Sequence, residues 1–317
     1  MKVLVTGAAG FIGSHFAEAM IAKGYTVYGI DNLSSYYDPA IKQINVQDIK
    51  AAGVQFIEGC LTHEATYDII PNDIDYIVHF AAQPGISSHT SYELYQHNNI
   101  VATQRLLTWA SSLTALKLFV NIATSSVYGI HATSTEDEAA KPISYYGVTK
   151  LAAEQLVMAK QRLGAINACS IRLFSVYGPR ERPEKLYTKL IKSILEGQSF
   201  PLFEGSEHHE RSFTYVGDIV EGLKRIIEIP EQCNGELINL GSETVYTTGE
   251  GIQLIEKIIG KKAQLEVVPK RVGDQLRTAA NIDKAKRILS YEPNTPFEVG
   301  LRAQVAWYQE KFSTKQD

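Results

Sequence analysis

The sequence predicts an α/β chain, a doubly wound parallel sheet carrying a smaller mixed α/β lobe. Three observations predict it. Short β-branched runs alternate with helix-period segments through the first half of the chain. The first run ends in the glycine-rich turn Gly7-Ala8-Ala9-Gly10-Phe11-Ile12-Gly13, and the second ends in Asp31. Beyond Ala168 to Phe174 comes Gly178-Pro179, punctuation that marks departure from the first lobe. At 317 residues the chain can build a large core and two lobes.

Lys2 to Thr6 reads as a buried parallel strand. Ser14 to Lys23 reads as a helix, stopped by Gly24. Tyr25 to Ile30 is the second strand. Strand, glycine turn, helix, strand and acid together form the context of a Rossmann-type dinucleotide site. Gly7 permits the tight turn, Gly10 lets backbone approach a pyrophosphate, and Gly13 lets helix and strand pack closely. Phe11 and Ile12 lie where the helix begins, and its N-terminal N–H groups and dipole favour phosphate. Asp31 is placed to accept hydrogen bonds from an adenosine ribose. Its charge repels a 2′-phosphate, and Asn32-Leu33-Ser34 offers no cation to hold one. The expected cofactor is therefore NAD rather than NADP.

Further elements follow in order. Ile41 to Ala52 is a helix, and Val54 to Glu58 the third strand. Tyr76 to Phe80 is the fourth, leading into Ala81-Ala82-Gln83, small residues against which a cofactor can lie. Ser91 to Ser111 is helical by period. Leu118 to Ile122 is the fifth strand and delivers Ala123-Thr124-Ser125-Ser126 to the end of the sheet where such folds bind ligands. Ala168 to Phe174 is the sixth strand, Lys185 to Leu195 a helix, Phe200 to Phe203 a short strand. Glu236 to Gly241 returns as a seventh strand, and Asn281 opens another helix. The expected division is residues 1–172 and 213–244 for the nucleotide lobe, and 173–212 and 245–317 for the second.

Composition narrows the function. The chain is 44% hydrophobic and 21% charged, as soluble globular proteins are. A formal charge of −4 gives no bulk attraction to nucleic acid or anionic membrane, so neither is an expected partner. Cys60, Cys169 and Cys233 are an odd, scattered set. They fit neither a metal site nor a disulfide framework, and suit buried thiols in a reducing cytoplasm. The N-terminus is too short for a signal-peptide core before its glycine turn, and no apolar run has membrane-span length.

The chemistry centres on Ser144-Tyr145-Tyr146-Gly147-Val148-Thr149-Lys150. Tyr146 and Lys150 are four apart, so a helix sets them on one face, one turn apart. A buried ammonium beside a phenol favours phenolate and draws the phenol pKa down. Such a tyrosine can take a proton from a sugar hydroxyl while a cofactor takes hydride.

The widened first step of the glycine spacing, together with the tyrosine–lysine pair, resembles the extended short-chain dehydrogenase/reductase family over nearly the whole chain. The resemblance implies Thr124 as third catalytic residue, a hydroxyl donor to the substrate oxygen. It implies Asn99 as support for the active-site backbone. It places Cys60 where the family has an adenine-contacting Asp, so that contact weakens or passes to backbone, and it implies Leu61 as a cofactor-binding residue. Family dehydratases put Asp and Glu after the threonine, and UDP-glucuronate decarboxylases put a Glu there. Ser125-Ser126 carry no such acid, which points to an NAD-dependent 4-epimerase. Arg211 and Arg271 match diphosphate ligands and Asp274 a ribose ligand of a UDP-sugar. The stretch Ser175 to Pro183 resembles that of UDP-glucuronate 4-epimerases, which implies that Arg182 and Ser175, with Ser125 and Ser126, hold a sugar carboxylate. UDP-glucose or UDP-N-acetylglucosamine epimerisation and UDP-glucuronate decarboxylation are the same-fold alternatives. A catalytically silent NAD-sensing regulator would carry a degenerate Tyr–Lys pair. The family also implies a homodimer built through the helices around 91–111 and 146–163.

Overall fold

The structure is a computed structural model that describes residues 1–87, 90–270 and 277–312. Seven strands form the central sheet: β1 (Lys2–Thr6), β2 (Thr26–Asp31), β3 (Gln55–Glu58), β4 (Tyr76–His79), β5 (Leu118–Thr124), β6 (Ala168–Leu173) and β7 (Leu237–Leu240). They lie in the order β3-β2-β1-β4-β5-β6-β7, all parallel. The chain crosses from one edge to the centre between β3 and β4. A crevice therefore opens at the carboxyl ends of β1 and β4, where such sheets take ligands.

Helices cover both faces. On one side lie α1 (Phe11–Ala22) and α2 (Pro39–Ala51). On the other, a turn at Tyr92–Tyr95 runs through a π-helical stretch, Gln96–Val101, into α3 (Ala102–Ala110), beside α4 (Tyr145–Arg162). Alternation along β1 divides the core. Val3 and Val5 join Phe16 and Ala17 of α1, while Leu4 joins Leu106, Phe119 and Val157. Every residue of β4, β5 and β6 is buried, as strands covered on both faces must be.

The second lobe is built from α5 (Leu186–Glu196), α7 (Thr248–Ile259) and α8 (Phe297–Phe312), around Tyr177, Tyr187, Leu190, Ile252 and Leu301. Between them in sequence, α6 (Val216–Glu228) returns to the large sheet and packs on α1. Its buried Ile219, Val220, Leu223, Ile226 and Ile227 follow helical spacing. The division expected from sequence needs one correction. Ile282, Ala285, Leu289 and Tyr291 pack into the core of the large sheet, so this part of 245–317 belongs with the nucleotide lobe.

One residue ties the lobes together. Arg180 has a left-handed backbone, φ 68°, a conformation unusual for a residue with a side chain. Its Nη2 reaches Glu18 Oε1 of α1 at 2.8 Å and Asp48 Oδ2 of α2 at 3.1 Å. Next to it, His15 Nε2 bonds the Pro179 carbonyl at 2.9 Å. Among the described residues no helix is long and apolar enough to cross a membrane, and no group of His, Cys, Asp and Glu is arranged to hold a metal.

Candidate active site

A cleft of about 490 Å³ opens at the carboxyl ends of the strands. Its walls carry Gly7, Gly10, Phe11, Ile12, Gly13, Asp31, Asn32, Leu61, Ala81, Ala82 and Gln83 at one end. Thr124, Ser125, Ser126, Tyr146, Lys150, Ser175, Arg182 and Arg211 line the rest. Two expected substrate residues, Arg271 and Asp274, lie outside the described residues.

The glycine turn is shaped for close approach. A Cβ on Gly13 would stand 2.3 Å from the Gly7 carbonyl oxygen, and one on Gly7 would stand 2.8 Å from the Ala81 nitrogen. No side chain caps α1, which leaves its first N–H groups to the cleft. Asp31 ends β2 and is held by the Ala9 and Leu33 N–H groups, donating to its two oxygens at 3.2 and 2.9 Å. Burial raises the Asp31 pKa, and the charge of nearby Lys42 opposes that rise. This set fits a dinucleotide: backbone donors for a pyrophosphate and a fixed carboxylate for the ribose beyond.

Lys42 is a site residue that motif reading misses. It projects from α2 into the cleft wall, and its Nζ donates to the Ser34 carbonyl and hydroxyl, both at 3.0 Å. Asn32 to Ser34 carry no cation, yet the fold brings one beside them. The available signal was its place on the buried face Lys42, Asn45, Val46 and Ile49 of α2. Cys60 lines the cleft, its Sγ 3.1 Å from Thr62 Oγ1 and 3.9 Å from Asn32 Nδ2.

Asn99 stands behind the cleft rather than in its lining. Its Oδ1 accepts from Gln83 N at 2.7 Å, and its Nδ2 donates to the Gln83 carbonyl and to Thr149 Oγ1. It lies in the π-helical stretch, an irregularity that often marks functional positions. A buried chain continues behind the wall. Thr103 Oγ1 donates to the Asn99 carbonyl at 2.6 Å, and His79 Nε2 lies 2.9 Å from that hydroxyl. His79 Nδ1 lies 2.7 Å from Thr6 Oγ1, which accepts from Ala81 N. Burial lowers the His79 pKa to about 3, so the ring is neutral. These groups fix the backbone of 81–83, and sequence motifs gave no sign of His79 or Thr103.

At the catalytic end, Ser144 caps α4 by accepting from Gly147 N at 3.1 Å. That sets Tyr146 in the first turn, facing the cleft. The Thr124 side chain hydrogen-bonds the phenol. Ser126 N–H donates to Thr124 Oγ1 at 3.2 Å, which holds the hydroxyl in place while leaving its own proton available to donate. Lys150 is 4% exposed, and its Nζ donates to the Ile122 carbonyl at 2.6 Å. Burial lowers its pKa to about 8, against the pull of Glu154.

The electrostatics depart from expectation. Burial raises the Tyr146 pKa, and the strongest opposing influences are Thr124's hydrogen bond and the charge of Arg182. Lys150 was expected to draw the phenol down directly, but its ammonium is directed to the β5 carbonyl. Phenolate chemistry here needs added positive charge, which an oxidised nicotinamide held in this cleft would supply. Arg182 is 13% exposed at its side chain, lies over the Tyr36 ring at 5.8 Å, and pairs with Glu184 at 2.6 Å. Asp31 and Glu184 are the carboxylates among the described lining residues, and neither neighbours Thr124 in sequence.

Fold and site together define an enzyme class, and the comparisons bear this out. A family model described as "NAD dependent epimerase/dehydratase family" matches residues 3–241, and the chain belongs to that family. UDP-glucuronate 4-epimerase 3 of Arabidopsis thaliana is 32% identical, over 97% of this chain and 76% of that one. An uncharacterized UDP-glucose epimerase of Bacillus subtilis (strain 168), YtcB, is 37% identical, over 97% of this chain and 98% of its own. The crystal structure of UDP-glucuronic acid 4-epimerase from Bacillus cereus, in complex with UDP-glucuronic acid and NAD, is 35% identical. It superposes with a TM-score of 0.92 over 98% of this chain and 99% of that one.

Proposed function

We propose that the protein is an NAD-dependent UDP-glucuronate 4-epimerase. One observation carries the choice of sugar: the Arg182 side chain lines the same cleft as Tyr146, and its charge opposes the rise of the phenol pKa. In a uronate the carboxylate sits on C5, the carbon next to the reacting C4. A cation that binds it must therefore line the cleft that holds the catalytic phenol, as Arg182 does. A neutral hexose presents only a hydroxymethyl group there. The relatives named for UDP-glucuronate support the same reading.

The glycine turn and Asp31 would hold NAD, which would supply a hydride acceptor for C4 and the return of that hydride to the opposite face. Tyr146 takes the 4-hydroxyl proton and later gives it back. Thr124 donates a hydrogen bond to the same oxygen. Lys150, charged and anchored on the Ile122 carbonyl, is the cation that would hold the nicotinamide ribose. Arg211 anchors the diphosphate while the 4-keto sugar turns over. The intermediate is a β-keto acid, prone to lose CO₂. Arg182 suppresses that loss by fixing the carboxylate out of line with the carbonyl π system, and Ser125-Ser126 supply no acid to promote it.

Incubation with UDP-glucuronate tests the proposal. UDP-galacturonate is the expected product, whereas a UDP-pentose with released CO₂ would make the protein a decarboxylase. Arg182→Ala should cost about 2 kcal/mol of UDP-glucuronate affinity, roughly thirtyfold in Kd, because a charged hydrogen bond is lost. Titration of UDP-glucuronate by calorimetry reads this; a wild-type Kd would refute the carboxylate role.

The reading extends to assembly. Tyr92 and Leu94, with Tyr145 and Val148 of α4, are exposed apolar residues on adjoining helices, and the two tyrosine rings are 5.3 Å apart. A second copy of the chain covering this face would give a homodimer in the cytoplasm. Light scattering should return twice the 35.1 kDa chain mass, and Val148→Glu should return the single mass.

A further inference from the structure

Directly behind Lys150 lies a buried ion pair that the reaction as described does not use. Glu154 is one helical turn further along α4 and fully buried. Arg172 of β6 grips it in fork geometry, Nη2 to Oε1 at 2.7 Å and Nε to Oε2 at 2.9 Å. Arg172 is 3% exposed and pairs in register with Ala123, the residue before Thr124. Its Nη1 donates at 2.9 Å to the Tyr128 hydroxyl, which donates in turn to Asn239 Oδ1 at 2.8 Å. The pair thus touches α4, β6, β7 and the turn that carries Ser125 and Ser126.

We infer that Glu154 and Arg172 are positioning residues for Lys150: the carboxylate keeps the buried ammonium charged, and the guanidinium limits how tightly the carboxylate holds it. The inference rests on the catalytic reading of Lys150. A stability role alone explains the pair poorly, since a buried ion pair often gains little over apolar packing. Its location gives it another task. Lys150 sits without solvent, and burial favours loss of its proton. Its surroundings from each packed element are known. β4 brings His79, held neutral between Thr6 and Thr103. β5 brings the Ile122 carbonyl, and the π-helical stretch brings Asn99 by way of Thr149. Tyr146 shares its helix. Glu154 is the anion named among the influences on Lys150, and it acts to raise that pKa. Without Arg172, Glu154 would have Lys150 as its remaining cation and bind the proton on it more strongly.

The two members of the pair should therefore act on Lys150 in opposite senses. Activity needs the ammonium, so it falls as pH rises through the Lys150 pKa. Glu154→Gln removes the stabilising anion, lowers that pKa, and should move the alkaline limb of the pH–rate profile down by about one unit. Arg172→Met should move the same limb up. The double variant Glu154→Gln/Arg172→Met removes both members of the ion pair and so strands neither of them, which should let it fold where a single variant fails, with its limb below that of the wild type. A second readout avoids turnover altogether. The alkaline midpoint of NAD affinity, measured by calorimetry on the NAD-stripped protein, should move in the same directions. Stable variants whose alkaline limb and NAD midpoint both stay at the wild-type pH would overturn the inference. If instead the wild type turns over no UDP-sugar, the catalytic reading fails, and the NAD midpoints still decide the role of the pair.

Discussion

Tyr146→Phe is expected to lower kcat by about 10² to 10⁴, the usual scale for removing a general acid–base group, with NAD still bound. The phenol oxygen makes its polar contact with Thr124, and the ring stays packed near Tyr95 at a centroid distance of 6.2 Å. Phenylalanine keeps the ring and loses only the proton carrier. Its neighbour Tyr145 cannot substitute, being 61% exposed and turned toward Tyr92. Turnover of a UDP-sugar, paired with calorimetric NAD affinity, checks the prediction; near-normal kcat would remove Tyr146 from its role.

Gly13→Ala is expected to weaken NAD binding at least tenfold and to destabilise the fold by about 1–3 kcal/mol, the cost of an overpacked junction. The new methyl would collide with the Gly7 carbonyl, which is backbone and cannot rotate away. Relief requires α1 to move off β1, which withdraws its N-terminus from the pyrophosphate position. Thermal melting and NAD titration separate the two effects. Wild-type affinity in a stable variant would show that the turn has slack that these distances deny.

The parts legible in the sequence are those written in neighbouring residues. The turn from Gly7 to Gly13, Asp31 and the Tyr146–Lys150 pair are each a local pattern, and the structure brings them to one cleft. The alternation of short β-branched runs with helix-period segments marked the parallel sheet, although buried His79, Asn121 and Arg172 interrupt its apolar strands. What the sequence hid depends on distant chain segments meeting. Lys42 reaches Ser34 only because α2 folds back over the end of β2. Arg182 lies over Tyr36 only once residues far apart in the chain meet at the cleft, although its partner Glu184 is two residues on. Lys150 was expected to serve the phenol directly, but the nearest buried acceptor is a main-chain carbonyl whose position no side-chain pattern records. Helix α6 is a different case: Ile219, Leu223, Ile226 and their neighbours carry clear periodicity, but the adjoining Arg211 to Asp218 motif draws attention away from it.

Arg180, bent into an unusual backbone shape and clamped onto α1 and α2, sets a condition on how the sugar inverts. The clasp at that corner resists separation of the two halves and so favours turning of the sugar over wide hinge opening. The ketone must swing through half a revolution inside walls of fixed spacing, by torsions along its own phosphate linkage. Cutting the bolt, for instance with Arg180→Ala, would then loosen the chamber and let the reactive ketone escape into solvent before its hydrogen is restored.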